Sequence, residues 1–178
     1  PDEATTRLRW AMKAPAHLTL ALRHPGWSRT AVVRINGTEA MRSDAPGRYL
    51  EIAREWRDGD EVTLDLAMEA GFEAIPAARD IIAFTYGPLV LAGALGRQGL
   101  KPGDDIVVNE RKFGEYNDVP VAVPQLAGDP AVLARSIRPA GAPLTFTIPA
   151  ADGSAVRLIP YHRIAHERYA TYWKLGRA

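Results

Sequence analysis

The chain predicts an all-β fold built from two consecutive antiparallel β-sandwich, jelly-roll-like units. Three observations carry that expectation. Leu18-Thr19-Leu20-Ala21-Leu22-Arg23, Ala31-Val32-Val33-Arg34-Ile35-Asn36 and Glu61-Val62-Thr63-Leu64-Asp65-Leu66 place apolar residues at every second position. That period belongs to strands with one buried and one wet face. Turn signals recur at a spacing of roughly ten residues, as in a β-sandwich. No stretch sustains the 3.6-residue period of a long helix.

Taken in order, residues 7–12 predict a first strand and residues 18–23 a firmer second one. His24-Pro25-Gly26-Trp27 breaks the run, because proline removes a ladder donor and glycine permits the turn. Strands over 31–35 and 38–41 flank Asn36-Gly37, the strongest short hairpin signal in the chain. Both central positions of a type I′ turn need positive φ, which asparagine and glycine tolerate best. Asp44-Ala45-Pro46-Gly47 leads into a strand over 48–53, and Arg57-Asp58-Gly59-Asp60 into one over 61–66. A strand over 68–75 ends at Pro76, and strands over 81–86 and 89–94 bracket Gly87-Pro88. The second of these has almost no polar alternation and is therefore placed centrally in its sheet.

From residue 96 the texture changes. Gly96, Gly99, Pro102, Gly103, Gly114, Pro120 and Pro124 punctuate a stretch of weak periodicity, which marks a boundary. The expected division is a first β-sandwich over 1–97, an irregular linker over 98–130, and a second, smaller β-sandwich or completing strands over 131–178. Within the last part, residues 131–138, 144–148, 155–159 and 168–173 read as strands, with a loop or a single helical turn over 160–167.

Composition narrows the function classes. The 178 residues carry 22 basic and 21 acidic side chains, a net charge of +1, which leaves no general electrostatic case for nucleic acid or an anionic membrane, since these would need a basic face. The longest apolar stretch, 87–95, is too short for a membrane-spanning helix. The opening residues show neither the basic start nor the apolar run of a signal peptide, and Pro1 is not a natural initiator. The chain is expected to be a piece of a longer polypeptide. With no cysteine there is no disulfide, thiolate metal site or cysteine nucleophile, and the compartment is left open.

Four stretches in order carry a family resemblance. They are Leu20-Ala21-Leu22-Arg23-His24-Pro25-Gly26-Trp27 with Val33-Arg34-Ile35-Asn36-Gly37; Gly47-Arg48-Tyr49-Leu50-Glu51-Ile52 with Trp56-Arg57-Asp58-Gly59-Asp60; Tyr86-Gly87-Pro88-Leu89-Val90-Leu91-Ala92-Gly93; and the tail from Leu158-Ile159-Pro160-Tyr161 to Tyr172-Trp173. Together they resemble the C-terminal β-sandwich region of the β-L-arabinofuranosidase family of glycoside hydrolases. The resemblance implies that catalysis belongs to an N-terminal (α/α)-barrel bearing a cysteine nucleophile, further cysteines on zinc, and glutamates. None of those residues maps onto this chain.

The candidate chemistry agrees with that absence. His162 and His166 are four apart with Glu167 adjacent, a zinc-binding spacing if helical. Arg163, however, stands where the zincin pattern needs its glutamate, so the segment reads as a structural loop. His17 and His24 read as solvated strand-edge residues. Glycoside hydrolysis needs two carboxylates across a cleft, whereas Asp58, Asp60, Asp104, Asp105 and Asp152 all sit in turn or linker contexts. The 104–110 segment lacks the spaced ligands of a calcium loop. Ser28, Ser43, Ser136 and Ser154 lack a nucleophile elbow and an obvious base.

Aromatic side chains offer the one binding chemistry, because their flat faces stack on sugar rings. Most such residues in a β domain are core: Trp56 is expected to pack over its turn and Trp27 to plug one end of the first sandwich. Trp173, near the end of the chain, is expected to be the most exposed of them. Trp27, Tyr161, His162, His166 and Trp173 are carried forward as carbohydrate or interface contacts. No catalytic, cofactor-binding or metal-binding residue is assigned, and no cofactor is expected. The reading is a non-catalytic accessory region that packs on the catalytic barrel of its own parent protein and supports assembly. A homodimer and a carbohydrate are the other partners considered, and the alternative function is a carbohydrate-binding module gripping plant polysaccharide.

Overall fold

The computed structural model describes residues 3–98, 100 and 122–176. The chain divides into two compact units, Pro1–Glu69 and Ala70–Ala178.

The first unit holds β1 (Thr5–Arg9), β2 (Ala16–His24), β3 (Ala31–Ile35), β4 (Thr38–Ser43), β5 (Arg48–Trp56) and β6 (Glu61–Leu66). One antiparallel sheet runs β1-β6-β3-β4, and β2 pairs with β5 in a second. Alternation sends Leu22 and Leu50 of the second sheet inward to meet Ala31, Val33, Val62 and Leu64 of the first, with Trp56 closing the core. Trp56 is fully buried, its indole N–H donates to the Leu18 carbonyl at 3.1 Å, and the Trp10 ring lies 5.2 Å away. The hairpin between β3 and β4 has Asn36 at φ 49° and Gly37 at φ 83°, the two positive values of a type I′ turn.

The second unit adds β7 (Ala70–Ile75), β8 (Ala78–Tyr86), β9 (Leu89–Ala94), β10 (Leu126–Ala127), α1 (Pro130–Ser136), β11 (Arg138–Pro139), β12 (Phe146–Pro149), β13 (Ala155–Pro160), β14 (Tyr169–Ala170) and β15 (Trp173–Gly176). Their order is β10-β15-β8-β9-β13-β12-β11, with β7 joined to β8 and β14 to β9. β9 is central, as its apolar run predicted: it pairs with β8, β13 and β14. β10 and β15 run parallel, the other pairs antiparallel. Ile82, Phe84, Leu91, Ile148, Leu158 and Trp173 are among the buried residues that form the core.

Three local expectations are corrected. Residues 131–138 do not form a strand, because Asp129 accepts from the amides of Ala131 and Val132 and Pro130 opens α1. The single strand expected over 168–173 is two, β14 and β15, which pair with different partners, β9 and β8. The division between units falls at 69/70 rather than near 97. β8 and β9 are completed by β13 and β15 from the last third of the chain, so the second unit begins before β8. Most of the 98–130 linker lies outside the described residues.

Candidate functional site

The exposed aromatic site of the second unit grows out of the end of β13. Pro160 stops the strand, and Tyr161–Arg163 forms one 3-10 turn closed by the Ile164 amide on the Tyr161 carbonyl at 3.0 Å. Pro160 is in register with Leu91 and Tyr169 with Ala94, so both tyrosines arrive beside β9. Their rings lie 5.4 Å apart, tilted by 58°, with the hydroxyls 3.4 Å apart. Tyr161 is 48% and Tyr169 40% exposed. Ala92 and Ile159, in register with each other, are buried yet alternate with the core residues Leu91 and Leu158, so they lie on the opposite sheet face. The hydrogen bond between the two hydroxyls raises the Tyr169 phenol above its ordinary value, with burial adding to it. This pair is an amphipathic surface: two ring faces and two hydroxyls.

Beside it, His162 is exposed and His166 half-buried with φ 48°. The turn ends at Arg163, so the two imidazoles never share a helical face. Glu167 is engaged by Arg157 at 2.8 Å, and Arg163 donates to the Pro143 carbonyl at 2.9 Å. Among the described residues no group of three or more His, Cys, Asp or Glu side chains is placed to hold a metal ion.

Trp173 is corrected: it is 2% exposed and belongs to the core. As the first residue of β15 it pairs with Ile82, and its ring fills the space over Gly93, where a Cβ would lie 2.5 Å from it. Trp27 lies in the first unit and is 37% exposed, partly open to solvent on the turn before β3. Tyr169 is the site residue that the sequence reading did not select. Its partner in the pair lies eight positions away, and only the shared strand β9 brings them together.

His24 is also corrected, being fully buried. Its Nε2 lies 2.7 Å from the Ser28 carbonyl oxygen and so must donate, and its Nδ1 lies 3.1 Å from the Ser43 hydroxyl. Ser43 therefore does have a histidine within reach. Its hydroxyl also accepts from the Ala45 amide at 3.2 Å, and the imidazole has no exposure to a substrate. The contact ties the end of β2 to the end of β4.

The carboxylates are structural hydrogen-bond acceptors. Asp58 accepts from the Met12 amide at 2.9 Å. Asp60 accepts from the Asn36 side-chain amide at 2.8 Å and the Arg57 amide at 3.0 Å, and Arg54 lies 3.5 Å away. The Asn36 bond first, then the Arg57 amide, hold Asp60 below its ordinary 3.8 against the opposing effect of burial. Asp152 is lowered in the same way by the hydroxyl and amide of Ser154, at 2.6 and 2.9 Å. A general acid in glycoside hydrolysis needs a raised pKa. These shifts run the other way. Asp104 and Asp105 lie outside the described residues.

Comparison with known proteins follows the same division. Residues 1–68 match the GH127 middle domain of β-L-arabinofuranosidases, and residues 71–175 match a domain of unknown function. No curated protein matches the chain. A solved glycoside hydrolase is similar with TM-score 0.61 at 17% identity, over 99% of this chain and 31% of its own. A GH127 β-L-arabinofuranosidase from Geobacillus stearothermophilus T6 is similar with TM-score 0.60 at 21% identity, over 99% and 29%. A GH127 β-arabinofuranosidase gives 0.57 at 20% identity, over 99% and 30%. The chain thus spans about three-tenths of the length of the solved proteins it resembles.

Proposed function

The chain is a GH127-like region whose larger part belongs to the family of the domain of unknown function matched over 71–175, and from that premise we propose that it is the non-catalytic C-terminal part of a β-L-arabinofuranosidase-like glycoside hydrolase. Its likeness to GH127 domains supports a glycoside hydrolase-family accessory region. In this reading the two β units pack on an N-terminal catalytic barrel of the same parent and support assembly, including a homodimer. One observation carries the non-catalytic part. Asp58, Asp60 and Asp152 each accept structural hydrogen bonds, and those on Asp60 and Asp152 hold them below their ordinary values, the opposite of what a general acid needs.

A second reading, carbohydrate binding, is favoured by the exposed Tyr161–Tyr169 pair, whose faces and hydroxyls suit a sugar ring. One set of assays separates the readings. Incubated with an aryl β-L-arabinofuranoside, the chain is expected to give no turnover. Turnover abolished by substituting a residue of this chain overturns the proposal. Calorimetric titration with arabinan oligosaccharides, showing binding lost in Tyr161→Ala, establishes the second reading.

A further inference from the structure

The chain has six tyrosines, and their surroundings sort them. Tyr86 packs on Phe146 with ring centres 4.7 Å apart, and Tyr49 lies beneath the Arg23 guanidinium, 5.5 Å from its ring centre. Tyr172 is exposed, and Tyr116 lies outside the described residues. Among the described residues, Tyr161 and Tyr169 are the two tyrosines whose rings meet each other. Their hydroxyl oxygens, 3.4 Å apart, are closer than their ring centres at 5.4 Å. The rings therefore converge at the ends that carry the hydroxyls, and both remain exposed to solvent.

That convergence suits one reaction of phenols. Loss of an electron and a proton leaves the unpaired spin on the oxygen and on the two ring carbons beside it. Those carbons, the Cε atoms, lie at the converging ends. The backbone fixes the approach, because Pro160 is in register with Leu91 and Tyr169 with Ala94, so β9 holds both rings. Two reactants held near contact couple as a unimolecular step rather than by chance encounter. Exposure leaves the rings room to turn through their 58° tilt and lets an oxidant reach them. With no cysteine, the chain has no disulfide to tie down the loop over 162–168. A bridge between these rings would close that loop and restrict the unfolded chain, as a disulfide does.

We propose that Tyr161 and Tyr169 form a modification site for oxidative phenol coupling, with hydrogen peroxide, used by a haem peroxidase, as the oxidant. Each phenol gives one electron to the peroxidase and one proton to water. The two phenoxyl radicals join through one Cε atom of each ring, forming a single C–C bond. Each ring regains its aromaticity as the hydrogen on the joined carbon is lost and its oxygen is protonated again. Hydrogen peroxide takes up two electrons and two protons and leaves as two waters. The product is a single chain with a biphenol bridge, lighter by two hydrogens. Both readings of the function are independent of this site.

The test treats the dilute chain with a haem peroxidase and hydrogen peroxide, isolates the monomer, and maps its digest by mass spectrometry. The expected monomer has dityrosine fluorescence and a cross-linked fragment joining Tyr161 to Tyr169, lighter by two hydrogens. Tyr161→Phe and Tyr169→Phe keep the ring and remove the hydroxyl, and each should abolish the product within the chain. Tyr172→Phe should leave its yield unchanged. The Ile164 amide, which closes the turn on the Tyr161 carbonyl, should exchange more slowly in the bridged monomer than in the untreated one. Bridges formed only between chains overturn the proposal. So does a monomer whose bridge joins other tyrosines, or one whose tyrosines are hydroxylated with no bridge. A bridged monomer that survives in either phenylalanine variant overturns it as well.

Discussion

Gly93→Ala probes the tightest approach in the second unit. Gly93 lies in β9 in register with Leu158 and Ala170, and a Cβ there would meet Trp173 at 2.5 Å (Cζ2) and 2.6 Å (Cη2), with Val156 Cγ1 at 3.4 Å. Ordinary contact begins near 3.4 Å, so a rigid ring that is 2% exposed must retreat by roughly 1 Å in a close-packed core. Overpacking of that kind costs about 1–3 kcal/mol, and the stiffer unfolded chain of alanine offsets only ~0.4–1 kcal/mol of it. The expected net loss is about 1–2 kcal/mol. Urea unfolding followed by exchange of β9 and β13 amides should show the midpoint of this unit falling by roughly 0.5–1.5 M. Trp173→Leu is destabilising by itself, but the double variant should recover most of the alanine penalty, so the two changes are non-additive. A midpoint unchanged by Gly93→Ala, or strict additivity, would refute the idea that the indole occupies the glycine's missing side-chain volume.

Two further outcomes follow from the first unit. Gly37→Val should destabilise by about 1–2 kcal/mol through backbone strain alone, because φ is 83° and nothing lies within 4 Å of the added Cβ. Gly37→Asn should cost much less, and equal losses in thermal unfolding would show that steric contact, not φ, is responsible. Asp60→Asn should destabilise at neutral pH, since the lowered carboxylate contributes stability above its ordinary 3.8 that is lost as pH falls through its folded value. The gap between wild type and variant should therefore narrow toward and below 3.8, and a gap constant with pH would refute the role given to the charge.

How much of this was legible in the sequence depends on how local each signal is. The Asn36-Gly37 hairpin, β6, β9 and the turn roles of Asp60 and Asp152 follow from φ preference, period-two alternation and short-range hydrogen bonding, which a few adjacent residues specify, whereas Asp58 is bonded by the distant Met12 amide. The N-cap of α1 was also written locally, in Asp129-Pro130, where a short apolar run otherwise reads equally well as a strand.

Tertiary structure alone decided the rest. The break at 69/70 exists because β8 and β9 find partners some 65 to 90 positions away in β13 and β15, and register over that distance has no local signature. Trp173 is buried because β15 lays its ring over a glycine eighty residues earlier, and Tyr161 meets Tyr169 only because both flank β9. His24 has the composition of a solvated edge residue, yet the Ser28 carbonyl and Ser43 hydroxyl converge on it and satisfy both ring nitrogens inside the fold. Sequence by itself determined most of the strands up to β9, because alternation and turn chemistry act within a few residues. Which side chains are core, surface or site was decided by strand pairing, because burial depends on what the neighbouring strand brings.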